Sequence, residues 1–371
     1  MLARRPGLRP FIITRSTFAG IGSKTGKWLG DNVSNWDQYR FSIAGMLGFA
    51  SIYQVPMVGS DVCGFVGNAT ETLCARWAML GAFSPFYRNH NDIASIPQEF
   101  YRWPVVSRAA KAAIATRYRL LDYLYTALHK AHVDGTPVVQ PLFFAYPEDP
   151  ETFGIEHQFL FGDGVMVSPV LDESNEVEIY LPDDVYYEFM TRKILYGPGA
   201  KMWVRQIEMD EIPLLIRGGT IIPMREESAM TTTELRKKDF ELMVAPGSDW
   251  TAKGSLYLDD GVSLEQTSTL DVSYTFDGTE LTVKAVGRYN VNGVKYSKIA
   301  ILGINERPLD VKISLANGKP IGARGVEWDA QNEVVNVEIA ISLSTSFNLR
   351  LEFEDEDEEE GKEAKEVHDE L

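Results

Sequence analysis

Apolar and polar positions in the first third of the chain alternate between short strand-like runs and longer segments with helical spacing. An apolar run at Pro10–Ser16 is followed by residues 37–54, where apolar side chains recur on one helical face. The run "VPMVGSD" then predicts a strand that ends at Asp61, and "TETLCARWAMLGAF" predicts a helix that begins at a threonine. Repeated strand–loop–helix units of this kind predict parallel strands that are covered by helices.

The same pattern continues to residue 136. The run "FSPFYRNHND" predicts a strand that ends in polar residues, and one long helix is expected from Ser107 to Val133, stopped by Gly135 and Pro137. Polar side chains follow the predicted strands at Arg15, Asp31, Asp61 and 88–90. Because a (β/α)8 barrel builds its site at the carboxyl ends of its strands, these positions are candidates for chemistry. About four strands are expected here, which is half of such a barrel.

Beyond Pro137 the pattern changes to short alternating segments such as "VEIYLP", "SYTFDGTELTVKA" and "NEVVNVEIAI", separated by turn residues. This pattern is typical of β-sandwiches, and the polar segment 225–239 separates two such regions. We therefore expect four parts: the second half of a barrel over 1–136, a proximal β domain over 137–225, a distal β-sandwich over 226–353, and an acidic, disordered tail over 354–371.

Charge narrows the possible ligands. The net charge is −17, and twelve of the 53 acidic residues lie within the last twenty positions, 352–371. The rest of the chain is still acidic, which argues against nucleic acid as a partner. No stretch approaches 18 uninterrupted apolar residues, so no membrane insertion is expected.

The two ends of the chain predict different things. The last four residues, His368 to Leu371, read "HDEL", a retention signal for the lumen of the endoplasmic reticulum. The first residues, "MLARRPGLRPFIITRS", contain no apolar region followed by a cleavage site. We therefore expect the chain to be the C-terminal portion of a longer protein of the secretory pathway, retained in the endoplasmic reticulum or, alternatively, secreted.

Two cysteines and two glycosylation sequons bear on the same question. Cys63 and Cys74 are eleven residues apart; they would be buried thiols in a cytosolic protein and could close a loop in a secretory one. The sequons begin at Asn32 and Asn68. A glycan on Asn32 would block any pocket beside Asp31, so Asn68 is the glycosylation candidate.

Residues 7–95 resemble the catalytic-barrel segment of glycoside hydrolase family 31, the α-glucosidase family. The segments that carry this resemblance include "RSTFAGIGSKTGKWLGDNVSNWDQYR", "VPMVGSDVCGF" and "FYRNHN", and the last two are similar to the maltase and fungal α-glucosidase branch. Weaker similarity continues in "PLLIRGGTIIP" and "LYLDDG". The resemblance implies the C-terminal half of a (β/α)8 barrel followed by two β-sandwich domains.

Asp31 is the candidate catalytic residue. Retaining hydrolysis of a glycoside needs two carboxyl groups about 5 Å apart, one as nucleophile and one as acid and then base. The acid must hold its proton near neutral pH, which aromatic walls and a neighbouring carboxylate favour. Asp31 lies between Trp28 and Trp36, and the resemblance implies that it is the general acid/base. The alternative is that Asp31 caps the helix that follows.

Five further residues are candidates for binding the substrate. Arg15 follows a strand and could hold sugar hydroxyls or the neighbouring carboxylate, with an ordinary salt bridge as the alternative. The resemblance implies that Asp61 and His90 bind hydroxyl groups of the sugar in the cleavage subsite. Trp28 and Phe65 would offer flat apolar faces to a pyranose ring, although both could also be ordinary core aromatics.

The resemblance also implies a disulfide between Cys63 and Cys74, which would hold Asp61 and Phe65 in position. A second acidic pair, Asp259-Asp260 in "LYLDDG", lies in a β domain and is interpreted as a hairpin turn. Neither histidines nor cysteines are spaced for a zinc site, and we expect no metal and no organic cofactor.

The nucleophile that the resemblance implies is an aspartate in a W-x-D-x-N-E motif, and the sequence contains no such motif. We therefore expect a retaining α-glucosidase that acts on α-glucoside oligosaccharides, whose nucleophile comes from an N-terminal portion of the same enzyme. The chain alone is then expected to be inactive. One alternative is a non-catalytic glycan-binding chain or partner subunit, and another is an enzyme with a different nucleophile such as Asp61.

Overall fold

The computed structural model describes residues 2–354, so the predicted acidic tail from residue 355 onward, with the HDEL sequence, lies outside the described residues. The N-terminal part contains short parallel strands that alternate with helices. The strands are β1 (Ile13–Thr14), β2 (Gly26–Trp28), β3 (Val58–Gly59), β4 (Asp61–Val62) and β5 (Arg88–Asn89), and the helices are α1 (Trp36–Leu47), α2 (Glu71–Gly81), α3 (Pro104–Arg119) and α4 (Leu121–Asp134).

Parallel pairing of these strands confirms the predicted barrel portion. β2 lies between β1 and β3, and β4 pairs with β5 so that Asp61 lies opposite Arg88. Within residues 2–354, β1 pairs only with β2 and β5 only with β4. The helices between the strands bury their apolar faces in one large core that includes Tyr39, Trp77 and Phe83.

Local sequence explains where the helices begin and end. Thr70 caps α2, because its hydroxyl oxygen accepts a hydrogen bond from the backbone of Leu73, and Gly135 ends α4 in a left-handed conformation. The prediction of a single helix over 107–133 is wrong. The chain forms α3 and α4, which are separated by Leu120 at φ −90° and ψ 6°.

The proximal β region contains a six-stranded antiparallel sheet in the order β11-β10-β13-β8-β7-β6 and a separate β9–β12 pair. Its strands are β6 (Val139–Pro141), β7 (Phe159–Phe161), β8 (Val165–Val167), β9 (Val177–Leu181), β10 (Val185–Glu188), β11 (Ile194–Tyr196), β12 (Ala200–Val204) and β13 (Leu214–Arg217), with a short helix α5 (Leu142–Ala145) after β6.

The distal β region is an eleven-stranded sheet whose inward side chains form one core. Its elements are β14 (Thr220–Arg225), α6 (Thr232–Leu235), β15 (Phe240–Ala245), β16 (Ala252–Leu258), β17 (Leu270–Phe276), β18 (Glu280–Gly287), β19 (Lys295–Leu302), β20 (Asp310–Leu315), β21 (Pro320–Ile321), β22 (Gly325–Asp329), β23 (Val334–Ser342) and β24 (Phe347–Glu352). Strand β14 pairs with β15 in this sheet, although the expected boundary assigns it to the proximal domain.

Buried ion pairs join the helices of the barrel portion to the distal sheet. Arg225 on β14 donates to Asp122 on α4 at 2.6 Å, and Arg119 on α3 donates to Glu241 on β15 at 3.0 Å. Because both carboxylates are largely buried, these contacts fix how the helices sit on the sheet. Within residues 2–354, no helix has the length and apolar character needed to cross a membrane.

Candidate active site

The loops that follow β2 and β4 are joined directly at one edge of the barrel portion. The carbonyl oxygen of Asn32 accepts hydrogen bonds from the backbone of Phe65 at 2.6 Å and of Val66 at 3.0 Å. The carboxyl ends of parallel strands meet at the same edge, which is where a barrel places its reactive groups. These bonds therefore hold the loop of Asp31 against the loop of Phe65.

Asp31 presents an open carboxylate beside a guanidinium. Its side chain is 44% exposed, and its Oδ2 lies 3.8 Å from Nη2 of Arg15. The preceding Gly30 has a φ of +91°, and a Cβ at this position would lie 3.2 Å from Nε of Arg15. Glycine therefore suits the left-handed backbone conformation, and a side chain at this position would also require the flexible Arg15 guanidinium to shift slightly. The structure brings together the Arg15 and Asp31 that the sequence singles out.

Lys27 holds the backbone of Arg15 in place, a role that the sequence analysis does not predict. Its ammonium nitrogen donates to the carbonyl oxygen of Arg15 at 2.6 Å and lies 4.5 Å from the ring centre of Phe49. Burial lowers the pKa of Lys27, and the nearby Arg15 lowers it further. The only signal in the sequence is a lysine inside the short strand "GKW", where an apolar residue would be ordinary.

Asp61 is the buried carboxylate of the site. Its side chain is fully buried, and Oδ1 accepts hydrogen bonds from Nε of Arg88 at 3.0 Å and from Nη2 of the same residue. Oδ2 is buried and has no hydrogen-bond partner among residues 2–354. Burial raises the pKa of Asp61, Arg88 and His90 oppose this rise, and Asp31 adds to it.

The aromatic candidates lie around these charges. The rings of Phe65 and His90 are 5.1 Å apart and inclined by 37°, and the imidazole is exposed. The guanidinium of Arg88 lies 5.6 Å from the ring centre of Trp28. Trp28 thus contacts the same arginine that holds Asp61. Arg88 is a further member of the site: the sequence analysis includes it among the polar positions 88–90, but assigns a binding role only to His90.

A disulfide supports the loop that carries Asp61 and Phe65. Cys63 and Cys74 are bonded and fully buried, which confirms the disulfide that the resemblance implies. Gln98, also buried, donates to the carbonyl oxygen of Gly64 at 2.8 Å. The loop is therefore fixed both to helix α2 and to the segment after β5, which limits its freedom to move.

The structure decides several alternatives left open by the sequence. The cap of helix α1 is Asn35, so the interpretation of Asp31 as a helix cap is wrong. Trp36 packs edge-on against Tyr39 at 5.5 Å and belongs to the core side of the helix.

Of the two sequon asparagines, Asn32 is buried and Asn68 is exposed. The glycosylation of Asn68 stays a prediction.

The acidic pair in "LYLDDG" divides into two roles. Asp260 holds the predicted turn, because its Oδ1 accepts from the backbone of Val262 and Ser263 at 2.9 Å each. Asp259 is fully buried and does not belong to the turn alone. It accepts hydrogen bonds from Arg9 at 2.6 Å and from Tyr125 at 2.5 Å. This carboxylate therefore ties the N-terminal segment and helix α4 to the distal sheet.

Comparison with protein-family profiles identifies the family. A profile described as the "Glycosyl hydrolases family 31 TIM-barrel domain" matches residues 1–127, and one described as the "Glycosyl hydrolase family 31 C-terminal domain" matches residues 135–222. Together the two matches cover more than half of the chain. The chain belongs to glycosyl hydrolase family 31. The expected fold, a portion of a TIM barrel followed by C-terminal β domains, is thereby confirmed.

Two curated relatives are similar to most of this chain. A protein of Neosartorya fischeri named "Probable alpha/beta-glucosidase agdC" is 57% identical over 304 residues, which cover 82% of this chain and 34% of that protein. A family 31 glucosidase of Schizosaccharomyces pombe is 43% identical over 82% of this chain and 31% of its own length. The chain thus spans about a third of the length of the curated relatives it matches.

A solved structure has the same fold over most of this chain. The glucosidase II alpha subunit in its Glc1Man2-bound form superimposes with a TM-score of 0.86 and 29% identity, over 94% of this chain and 41% of that chain. In this family 31 chain, the site combines an exposed carboxylate beside Arg15 with a buried carboxylate that has one free oxygen. An exposed carboxyl group can take up or give a proton, and the free oxygen of the second group has the capacity for one more hydrogen bond.

Proposed function

We propose that this chain carries the acid/base and sugar-binding part of a retaining α-glucosidase, which removes terminal α-linked glucose from oligosaccharides. The observation that carries the proposal is the position of Asp31. Its carboxylate is open to solvent at the carboxyl end of a parallel strand, 3.8 Å from Arg15, and a different residue caps the helix. Membership of family 31, whose members include named glucosidases, supports the same activity.

The proposed first step breaks the glycosidic bond. The protonated carboxyl of Asp31 gives its proton to the glycosidic oxygen while a second carboxylate attacks the anomeric carbon. The bond from this carbon to the leaving oxygen breaks, a bond to the attacking carboxylate forms, and the shortened sugar leaves as an alcohol. Asp31 is then a carboxylate, and the positive charge of Arg15 stabilises it.

The second step releases glucose. The carboxylate of Asp31 takes a proton from water, and the water oxygen attacks the anomeric carbon. The ester bond to the second carboxylate breaks, so that glucose is released with retention and Asp31 holds a proton again. In both steps, Arg15 keeps the side chain of Asp31 at the edge of the barrel.

Neighbouring residues bind the sugar that is cleaved. The free Oδ2 of Asp61 accepts a hydrogen bond from a sugar hydroxyl, because this buried oxygen has no partner among residues 2–354. Arg88 fixes the orientation of this carboxylate through Oδ1. His90 offers a ring nitrogen to a second hydroxyl, and Phe65 and Trp28 present apolar faces to the pyranose ring.

The second carboxylate comes from a partner segment in this proposal. The sequence contains no W-x-D-x-N-E motif, and a retaining mechanism needs a nucleophile that faces Asp31. Asp61 does not suit this role, because two hydrogen bonds from the Arg88 guanidinium to Oδ1 hold its carboxylate as a hydrogen-bond acceptor. The nucleophile is therefore assigned to an N-terminal portion of the same enzyme, and the chain alone is expected to be inactive.

Location in the secretory pathway is part of the proposal. The HDEL sequence at His368 to Leu371 favours the lumen of the endoplasmic reticulum, with secretion as the alternative. An oxidising lumen would preserve the disulfide of Cys63 and Cys74 and would allow a glycan on the exposed Asn68.

A chimaeric enzyme tests the proposed function. The chain is joined to the N-terminal portion of the Neosartorya fischeri relative, and hydrolysis of maltose is measured for the chimaera and for the chain alone. We expect turnover only in the chimaera, and a loss of at least about a hundredfold in the Asp31→Asn chimaera, because that variant cannot donate a proton. Asp37→Asn is the matched control, since Asp37 is an exposed acid paired with Arg40.

Each result of this experiment has a definite meaning. Near-normal hydrolysis of maltose by the Asp31→Asn chimaera would contradict the role of Asp31. Equal activity of the chain with and without the added portion would contradict the assignment of the nucleophile. A non-catalytic chain, the alternative function, predicts that the folded chimaera binds an oligosaccharide and hydrolyses none.

A further inference from the structure

A cavity lies where the proximal and distal β regions meet, on elements that carry none of the residues discussed above as the site. It has a volume of about 440 Å³ and is lined by the end of β11, the turn before β10, and the turn between β15 and β16. This volume falls within the range of small-molecule binding sites. The cavity is large enough to receive part of an oligosaccharide.

Two aromatic side chains border the cavity and stay exposed. Tyr196, the last residue of β11, is 69% exposed, and Trp250, in the turn before β16, is 46% exposed. Burial in the core therefore does not explain either ring. Exposed aromatic faces at a concave site are typical of positions that bind a ligand with an apolar face.

The backbone holds Trp250 in an unfavourable conformation. Its φ is +59°, in the left-handed region that a bulky side chain rarely adopts. The turn is closed by hydrogen bonds from the backbone N–H of Trp250 to Gly247 at 3.0 Å and from that of Gly247 to Thr251 at 2.9 Å. A non-glycine residue here costs about 1 kcal/mol or more, and such strain is concentrated at functional sites.

Polar groups around the cavity fit a ligand rich in hydroxyl groups. The carboxylate of Asp183 and the side chain of Ser248 are both exposed. Both carboxylate oxygens of Asp184 already accept a hydrogen bond, one from the hydroxyl of Tyr146 and one from the backbone N–H of Val185, at 2.8 Å each. Among the described residues that line the cavity, none is a lysine or an arginine. The charge therefore disfavours phosphate or carboxylate ligands and fits a neutral sugar.

We propose that this cavity binds a neutral α-linked gluco-oligosaccharide at a distance from the catalytic residues. A sugar ring stacks on Trp250, a second ring contacts Tyr196, and Asp183 accepts hydrogen bonds from sugar hydroxyls. The choice of glucose units rests on the proposed function, whereas the aromatic and acidic lining favours a neutral carbohydrate by itself. Binding here would hold a long substrate on the enzyme between cleavage events.

Calorimetric titration of the 371-residue chain with maltopentaose tests this proposal. The key variant is Trp250→Gly, because glycine adopts a positive φ without strain while the indole is lost. We expect this variant to melt at the same temperature as the parent or higher and to bind about tenfold more weakly, as for the loss of one stacked aromatic face. Tyr196→Ala should weaken binding in the same way, and Tyr196→Phe should retain it.

Two controls separate this site from others. Trp203→Ala removes an indole that is 51% exposed on another strand of the proximal region and should leave the affinity unchanged. His90→Ala removes an exposed ring of the catalytic site and should also leave binding at the new site intact. These binding measurements keep the proposal distinguishable from the proposed function. Failure of the catalytic role of Asp31 would leave binding at Trp250 unchanged.

Three results would overturn the proposal. One is an unchanged affinity of Trp250→Gly for maltopentaose. Another is an equal loss in Trp250→Gly and Trp203→Ala, which would indicate non-specific stacking on exposed indoles. The third is the absence of binding by the parent chain, or its complete loss in His90→Ala, which would assign all binding to the catalytic site.

Discussion

The side-chain oxygen of Asn35 accepts a hydrogen bond from the backbone N–H of Gln38 at 2.8 Å. This bond makes Asn35 the cap of helix α1 and leaves Asp31, four residues earlier, outside the helix. Asp31 accepts no hydrogen bond from any backbone amide in residues 2–354, and its contact is with the Arg15 guanidinium. The carboxylate therefore has no structural task in the helix that would compete with proton transfer.

Because Asn35 caps the helix and Asp31 does not, substitutions at the two positions should affect stability unequally. Asn35→Ala should lower the free energy of unfolding by about 1 kcal/mol, the usual effect of losing a helix cap, whereas Asp31→Ala should change it little. Urea unfolding followed by circular dichroism measures both. Thr70→Ala, which removes the cap of helix α2, is the positive control. A loss in Asp31→Ala as large as that in Asn35→Ala would restore the cap interpretation.

Asp259 and Asp260 are adjacent acids, of which the first is buried and the second is exposed. Burial raises the pKa of Asp259, but hydrogen bonds from Tyr125 and Arg9 outweigh it, so that the pKa is lowered overall. Burial together with Asp259 raises the pKa of Tyr125 to about 12. Asp260, by contrast, is exposed and bonds only within its own turn. The two side chains thus provide a matched pair for measurement.

We predict that Asp259→Asn destabilises the chain by about 3 kcal/mol, because it removes the charge that pairs with Arg9 in a buried setting. Asp260→Asn should lower stability by less than about 1 kcal/mol, since only local turn bonds are weakened. Melting temperatures and urea midpoints of the two variants give the comparison. Equal effects would show that Asp259 does not join the N-terminal segment to the sheet.

His129 on helix α4 stacks on Tyr257 of the distal sheet, with ring centres 3.5 Å apart. Burial lowers the pKa of His129; His132 and Arg9 lower it further, while Asp271 and Asp259 oppose them. Burial also lowers the pKa of His157. A histidine with a lowered pKa stays neutral in the folded chain after the unfolded chain has taken up a proton.

Acidification is therefore expected to destabilise the chain through these two histidines. Between about pH 7.5 and about pH 5.5, the unfolded state binds more protons at both positions, so the melting temperature should fall. The fall should be smaller in His129→Gln and in His157→Gln, and smallest in the double variant. Differential scanning calorimetry across this range provides the values. A double variant with the same pH dependence as the parent would rule out both histidines as its source.

The sequence predicts those structural elements whose determining residues lie close together along the chain. Helix α2 follows from a capping threonine and regular apolar spacing, both of which are visible in "TETLCARWAML". The break at Leu120 is not visible, because the apolar positions Ile114, Tyr118, Leu121 and Leu124 keep helical spacing across it. On either side of the break, Arg119 pairs with Glu241 and Asp122 pairs with Arg225, and sequence spacing does not show these contacts with the distal sheet.

The candidate site divides in the same way. The residue types after each strand indicate where Asp31, Asp61 and His90 lie, since strand ends meet at one edge. Their partners are not local: Lys27 reaches Arg15 through the pairing of β1 with β2, and Arg88 reaches Asp61 only through the pairing of β4 with β5. The burial of Asp259 depends on contacts more than a hundred residues away along the chain. Sequence spacing alone contains no such information.

The most direct test of the central claim compares two substrates in the Asp31→Asn chimaera. For a retaining enzyme, kcat/KM reports only the steps through cleavage of the glycosidic bond. A 2,4-dinitrophenyl α-glucoside has a leaving group that needs no proton, whereas maltose requires one. We predict that kcat/KM falls by about a thousandfold for maltose and by less than about tenfold for the dinitrophenyl glucoside. Equal losses on both substrates would contradict proton donation by Asp31.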